Sequence, residues 1–153
     1  PRVLAALGPK MLALAAERTA GAHPYFVPVE HTQLARRALG VGPLLAVEQA
    51  AVLVRDAIEA RRIARQHTSG YLRLENYANN LRRLGWSDAD LSDGGSDALV
   101  DAIVAWGDAA AVERRIHAHL DGGADHVCVQ VLSADPETPP LAQLRELAYL
   151  ATL

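Results

Sequence analysis

Two short runs in this chain are too apolar for strands that face water on one side. Ala50 to Val54 is unbroken, and Val127 to Leu132 is interrupted only by Gln130. A half-solvated strand alternates apolar and polar residues, whereas a parallel strand covered on both faces does not. With Val3–Ala6 and Ala22–Val27, the windows Glu48–Val54 and His126–Leu132 make four expected strands.

Helical patterns lie between them. Gly8-Pro9 opens the first helix, with Met11, Leu12, Leu14 and Ala15 on its apolar face up to about Arg18. A second runs from Pro28 to Leu39 and stops at Gly40. A long helical region, Asp56 to Leu120, follows the third strand, with Asp108 as the N-cap of its last segment and Gly122-Gly123 as the stop. Leu141 to Leu153 closes the chain after Pro139-Pro140. Strand and helix alternating in this way define a parallel α/β fold. The pattern alone leaves an open doubly wound sheet and part of a barrel as alternatives.

Composition removes other classes. A net charge of −3 argues against nucleic-acid and membrane-surface partners, both of which favour a basic face. No apolar run is long enough to span a bilayer. The single cysteine, Cys128, permits no internal disulfide, and the expected location is cytoplasmic. Ser92 to Asp97 reads as a loop between helices. The chain enters a strand almost at once after Pro1, so more protein upstream is expected.

Three stretches could carry chemistry. At Ala5, Ala6, Leu7, Gly8 and Pro9 a strand ends in small residues and a helix begins, offering unpaired N–H groups to an anion. Lys10 is unfavourable against the helix dipole, which a bound phosphate would ease. An ordinary tight turn is the alternative. His23 and Tyr25 stand at the C-terminal part of the second strand, as pocket groups or as packed side chains. The stretch Tyr71 to Arg83 holds Tyr77 and Asn80, which either line a pocket mouth or pack on the rim. His117 and His119 are two apart on a helix and point to different faces, so a solvated helix is expected there, not a metal pair. No metal motif or nucleophile elbow occurs, and Cys128 reads as an inert buried thiol.

The ordered set VLAALGPKMLALAAERTAGAHPY (residues 3 to 25), PLLAVEQAAVL (43 to 53), NYANNLRRLGW (76 to 86), ALVDAIVAWGD (98 to 108) and HLDGGADHVCVQVL (119 to 132) resembles luciferase-like oxidoreductases, especially their actinobacterial F420-dependent branch. The resemblance implies the C-terminal half, strands five to eight, of a parallel (β/α)8 TIM barrel, with a helical insertion before the last strand. On that reading residues 1 to 153 are a partial luciferase-like barrel domain whose N-terminal half is missing. It implies hydride transfer between coenzyme F420, a deazaflavin, and an unknown organic substrate. FMN-dependent monooxygenase chemistry and a non-catalytic half-barrel interaction module are the alternatives. It carries cofactor contacts onto Ala5, Ala6, Leu7, Gly8 and Pro9. His23, Tyr25, Tyr77 and Asn80 are the substrate-pocket candidates, with no catalytic role and no metal ligand assigned. Residues that flank the reactive ring in that family belong to strands outside this sequence, so the chain alone is expected to be inactive. Open strand edges lead to the expectation of a homo-oligomer, which sedimentation measures.

Overall fold

Every strand pair in the structure, a computed structural model that describes residues 1–152, is parallel. β1 (Val3–Leu4) pairs with β2 (Gly21–Ala22), and β2 with the start of β3 (Leu44–Val52). On the other side of β3, Ala46 to Ala51 pair with His126 to Val131 of β5 (His126–Val131). Each return is made by a helix: α1 (Pro9–Arg18), α2 (Val29–Leu39) and, before β5, α7 (Ala109–Asp121). Asp108 caps α7 by accepting from the Ala111 amide. Among the described residues no helix is long and apolar enough to cross a membrane.

The expected strand limits shift. The first two are shorter, and the third begins at Leu44 and ends at Val52 instead of spanning Glu48–Val54. The long helical region is a correction of a different kind. It comprises α3 (Ala57–Tyr71), α4 (Glu75–Arg83), α5 (Asp88–Leu91), a 3-10 turn at Ser92–Gly94 and α6 (Asp97–Ile103), and then a fifth strand. This β4 (Val104–Trp106) pairs with Ala50 to Val52. Leu99, Val100, Ile103 and Val104 repeat with helical spacing, which hides a strand of three residues. The closing helix is also shorter: α8 (Leu141–Glu146) is followed by a 3-10 turn at Ala148–Thr152, and Leu153 lies outside the described residues.

Alternation along β3 explains why it is apolar throughout. Leu45 and Val47 pack with Leu12, Ala15 and Ala35 of α1 and α2, and Ala51 packs with Val112 and Ile116 of α7. Ala50 and Val52 point the other way, into Ile63, Ala64, Leu81, Leu99 and Val100 of α3, α4 and α6. The helical insertion therefore covers the face opposite the crossover helices. Residues 45 to 52 are all buried as a result.

One glycine in the sheet is irreplaceable. A Cβ on Gly21 would sit 1.9 Å from the Leu44 carbonyl oxygen, and its φ is 157°. Since the clash is with backbone, Gly21→Ala is expected to abolish the β2–β3 pairing. A cooperative thermal melt with an unchanged midpoint in that variant would contradict this register.

Candidate functional site

The C-terminal ends of β1 and β2 meet α4 around a cavity of about 330 Å³. Its wall is made by Ala5, Ala6, Leu7 and Gly8 after β1, His23 and Tyr25 after β2, Met11 of α1, and Asn76, Tyr77, Asn79 and Arg83 of α4. Parallel α/β folds open their ligand crevices at this end of the strands. Three stretches that are far apart in sequence thus converge. Pro9 and Asn80 do not reach the wall.

The anion-attracting features belong to this chain's own helices. Gly8 is the N-cap of α1 and brings no side-chain cap, and the first turn holds no acidic residue. The amides of that turn therefore keep their hydrogen-bonding capacity and their positive partial charge. Opposite them stands Arg83. An added Cβ on Gly8 would lie 3.4 Å from Arg83 Nη2 and 3.9 Å from its Cζ. Gly8 itself has φ −84° and ψ 161°, a conformation open to any residue. Glycine here admits the guanidinium; the turn does not require it.

Arg83 is the site residue that sequence reading missed. Its neighbour Arg82 pairs with Asp88 at 2.7 Å, but among the described residues no carboxylate forms an ion pair with Arg83. Arg83 instead donates to Asn80 Oδ1 at 3.1 Å. Asn80 is 4% exposed and its Nδ2 has no partner, so it backs the arginine from behind. The signal was available: Asn76, Asn79 or Asn80, and Arg83 recur at the three-to-four-residue spacing of one helix face.

The remaining wall is mainly aromatic. Tyr25 donates its hydroxyl to Gln130 Oε1 at 2.7 Å, and its ring lies 5.1 Å from Tyr71, which meets Tyr77 edge-on at 5.1 Å. Burial, then the Tyr71 hydrogen bond and the Glu48 carboxyl, push the Tyr25 phenol pKa up, so it serves as a donor. Burial raises Tyr77 likewise. His23 Nδ1 lies 2.8 Å from the Ala46 carbonyl oxygen, and since a carbonyl only accepts, the ring donates there.

Buried polar groups also escaped the sequence reading, Glu48 and His119 among them. Glu48 of β3 is 5% exposed, accepts from the Phe26 amide at 3.1 Å through Oε2, and has no partner for Oε1. Burial pushes its carboxyl pKa up to about 7. Phe26 holds φ 58°, a left-handed corner that the Glu48 contact helps to fix. The second is His119, where a solvated helix was expected. It is fully buried, with Nδ1 2.7 Å from Thr32 Oγ1 and Nε2 2.8 Å from Gln49 Oε1. The amide oxygen accepts, so Nε2 carries the proton and Nδ1 accepts from the threonine. Burial, with Arg115 and His31 nearby, holds its pKa down to about 4. Cys128, expected to be buried, is only half-buried, and its partial burial, with the Glu48 carboxyl, raises the thiol pKa.

No family model matches the chain, and no curated protein matches it. Solved structures do. The coenzyme F420-dependent tetrahydromethanopterin reductase of Methanopyrus kandleri is similar with a TM-score of 0.66 at 19% identity, over 97% of this chain and 48% of that one. An F420-dependent secondary alcohol dehydrogenase, solved with an F420–acetone adduct, gives 0.63 at 15% identity, over 90% and 44%. The FMN-bound oxygenating constituent of 3,6-diketocamphane monooxygenase from Pseudomonas putida gives 0.53 at 22% identity, over 95% and 45%. The fold is that of part of a parallel (β/α) barrel. The chain spans about half the length of the structures it matches.

Proposed function

We propose that this chain is the C-terminal half of a deazaflavin-dependent oxidoreductase and holds the phosphate of coenzyme F420. The observation that carries the reading is Arg83: a cation without a carboxylate partner among the described residues, beside the uncapped start of α1 at a cavity at the strands' C-terminal ends. Such a pairing of guanidinium and helix N-terminus suits a phosphate. The residues fit the group, because Gly8 leaves room beside Arg83 and Lys10 and Met11 follow in the first turn.

When bound, the deazaflavin supplies the ring that gives or takes a hydride. This chain's residues bind and orient it. The amides after Leu7 and the Arg83 guanidinium hold the phosphate. Tyr25 and Tyr77 present apolar faces, and the His23 imidazole stands on the same wall. The substrate is an organic molecule that enters by the same mouth. Both F420-dependent and FMN-bound proteins stand among the structural neighbours, so FMN and monooxygenase chemistry is the second reading.

Fluorescence titration of the protein with F420 and, separately, with FMN tests the proposal. Saturable F420 binding that is tighter than FMN binding is expected. Tighter FMN binding would transfer the reading to a flavin monooxygenase, and failure of both would remove it.

A further inference from the structure

The phosphate turn is tied from behind by a residue outside the cavity wall. His31, in the first turn of α2, is 2% exposed, and its Nε2 lies 2.8 Å from the Leu7 carbonyl oxygen. A carbonyl can only accept, so the proton sits on Nε2 and the ring is a donor there. His31 Nδ1 is buried without a partner. A second nitrogen left unsatisfied marks a ring kept for the one bond it makes, since an orphaned buried acceptor is unfavourable.

The Leu7 carbonyl matters because of its place. It is the last carbonyl before Gly8, at a turn where a Cβ on Gly8 would lie 3.4 Å from Arg83 Nη2. A carbonyl oxygen free to turn toward the cavity would repel a phosphate oxygen and compete with it for the guanidinium. Held by a buried donor in the α2 layer, it cannot.

We propose that His31 is the positioning residue of the anion site: by holding the Leu7 carbonyl it keeps the turn in the form that offers amides to a phosphate. The proposal rests on the anion-site reading above. Charged and titratable neighbours agree with a neutral ring. Burial lowers the His31 pKa and the Arg83 charge lowers it further, the bond to Leu7 acting in the opposite direction. His119 of α7 feels His31 electrostatically, and Glu30 beside it faces Arg115.

Glutamine places its side-chain amide nitrogen where histidine has Nε2, asparagine falls short of it, and leucine fills similar space without a donor. Inorganic phosphate is the probe, with binding followed by the backbone amide signals of Gly8 and Lys10 in this chain. His31→Gln is expected to keep phosphate affinity within about threefold of the wild type, and His31→Leu and His31→Asn to lose about tenfold or more, the scale of one charge-assisted contact set. Thermal melts of all four proteins separate this from a loss of folding, because a merely structural role would lower the melting temperature without moving phosphate affinity in the proteins that remain folded. Equal affinity in a folded His31→Leu variant would overturn the proposal, as would a folded His31→Gln as weak as leucine. Absence of phosphate binding by the wild type would instead remove the anion site itself.

Discussion

Replacing Arg83 by alanine is expected to weaken F420 binding by tenfold or more. A guanidinium–phosphate contact is charge-assisted, worth roughly 1.5–3 kcal/mol per bond, and every 1.4 kcal/mol is about tenfold in affinity. The variant should fold, because Arg83 binds only Asn80 and pairs with no carboxylate among the described residues. Gly8 supplies a graded companion test. Gly8→Ala adds a Cβ 3.4 Å from Arg83 Nη2, an ordinary contact, and should bind nearly as the wild type does. Gly8→Val adds two further methyl groups beside the guanidinium and should lose about tenfold, by crowding alone. Asp93→Ala, in the 3-10 turn after α5, should change nothing. Fluorescence titration measures the series. Valine and alanine binding equally well would show that Gly8 does not govern the approach to Arg83.

The second large effect is on stability. Glu48 has its carboxyl pKa raised to about 7 by burial, so the folded protein holds that proton more tightly than the unfolded chain does. Its contribution is complete below the unfolded value near 4.5 and is lost as pH rises toward 7. The loss is roughly 3 kcal/mol at about 1.4 kcal/mol per pKa unit. His119 runs the opposite way. Lowered to about 4, it contributes fully above 6.5 and loses that contribution as pH falls toward 4. Between about pH 4.5 and 6.5 the two slopes oppose each other. Glu48→Gln keeps an acceptor for the Phe26 amide and removes the titration. It should melt several degrees higher than the wild type at pH 8, at roughly 2–4 °C per kcal/mol, and match it near pH 4.5. An equal difference in melting temperature at both pH values would mean that Glu48 is not the group that titrates.

The architecture was legible because buried parallel strands leave a coarse mark. The apolar runs at 50 to 54 and 127 to 132 gave two of the strands, although β5 is only half-buried, with His126 and Gln130 exposed, and the Gly8-Pro9 and Gly40 signals gave the limits of α1 and α2 nearly to the residue. β4 was not legible, since three residues at the end of α6 continue its helical spacing. The cavity was legible in part. Ala5 to Gly8 and His23, Tyr25 and Tyr77 all stand on one wall. Arg83 was hidden beside Arg82 because sequence does not say which of two adjacent arginines finds Asp88. His31, Glu48 and His119 were hidden for a related reason. Their partners are a carbonyl, an amide and a glutamine at sequence separations of 24, 22 and 70, and no local pattern records such pairs.

The most direct test of the central claim is a map of backbone amide and arginine side-chain NMR signals on adding coenzyme F420. The signals of Gly8, Lys10 and Met11 and the Arg83 guanidinium should move together along one saturation curve, while those of Asp93 and Gly94 stay in place. F420 binding that leaves Gly8, Lys10 and Arg83 unmoved would contradict the account.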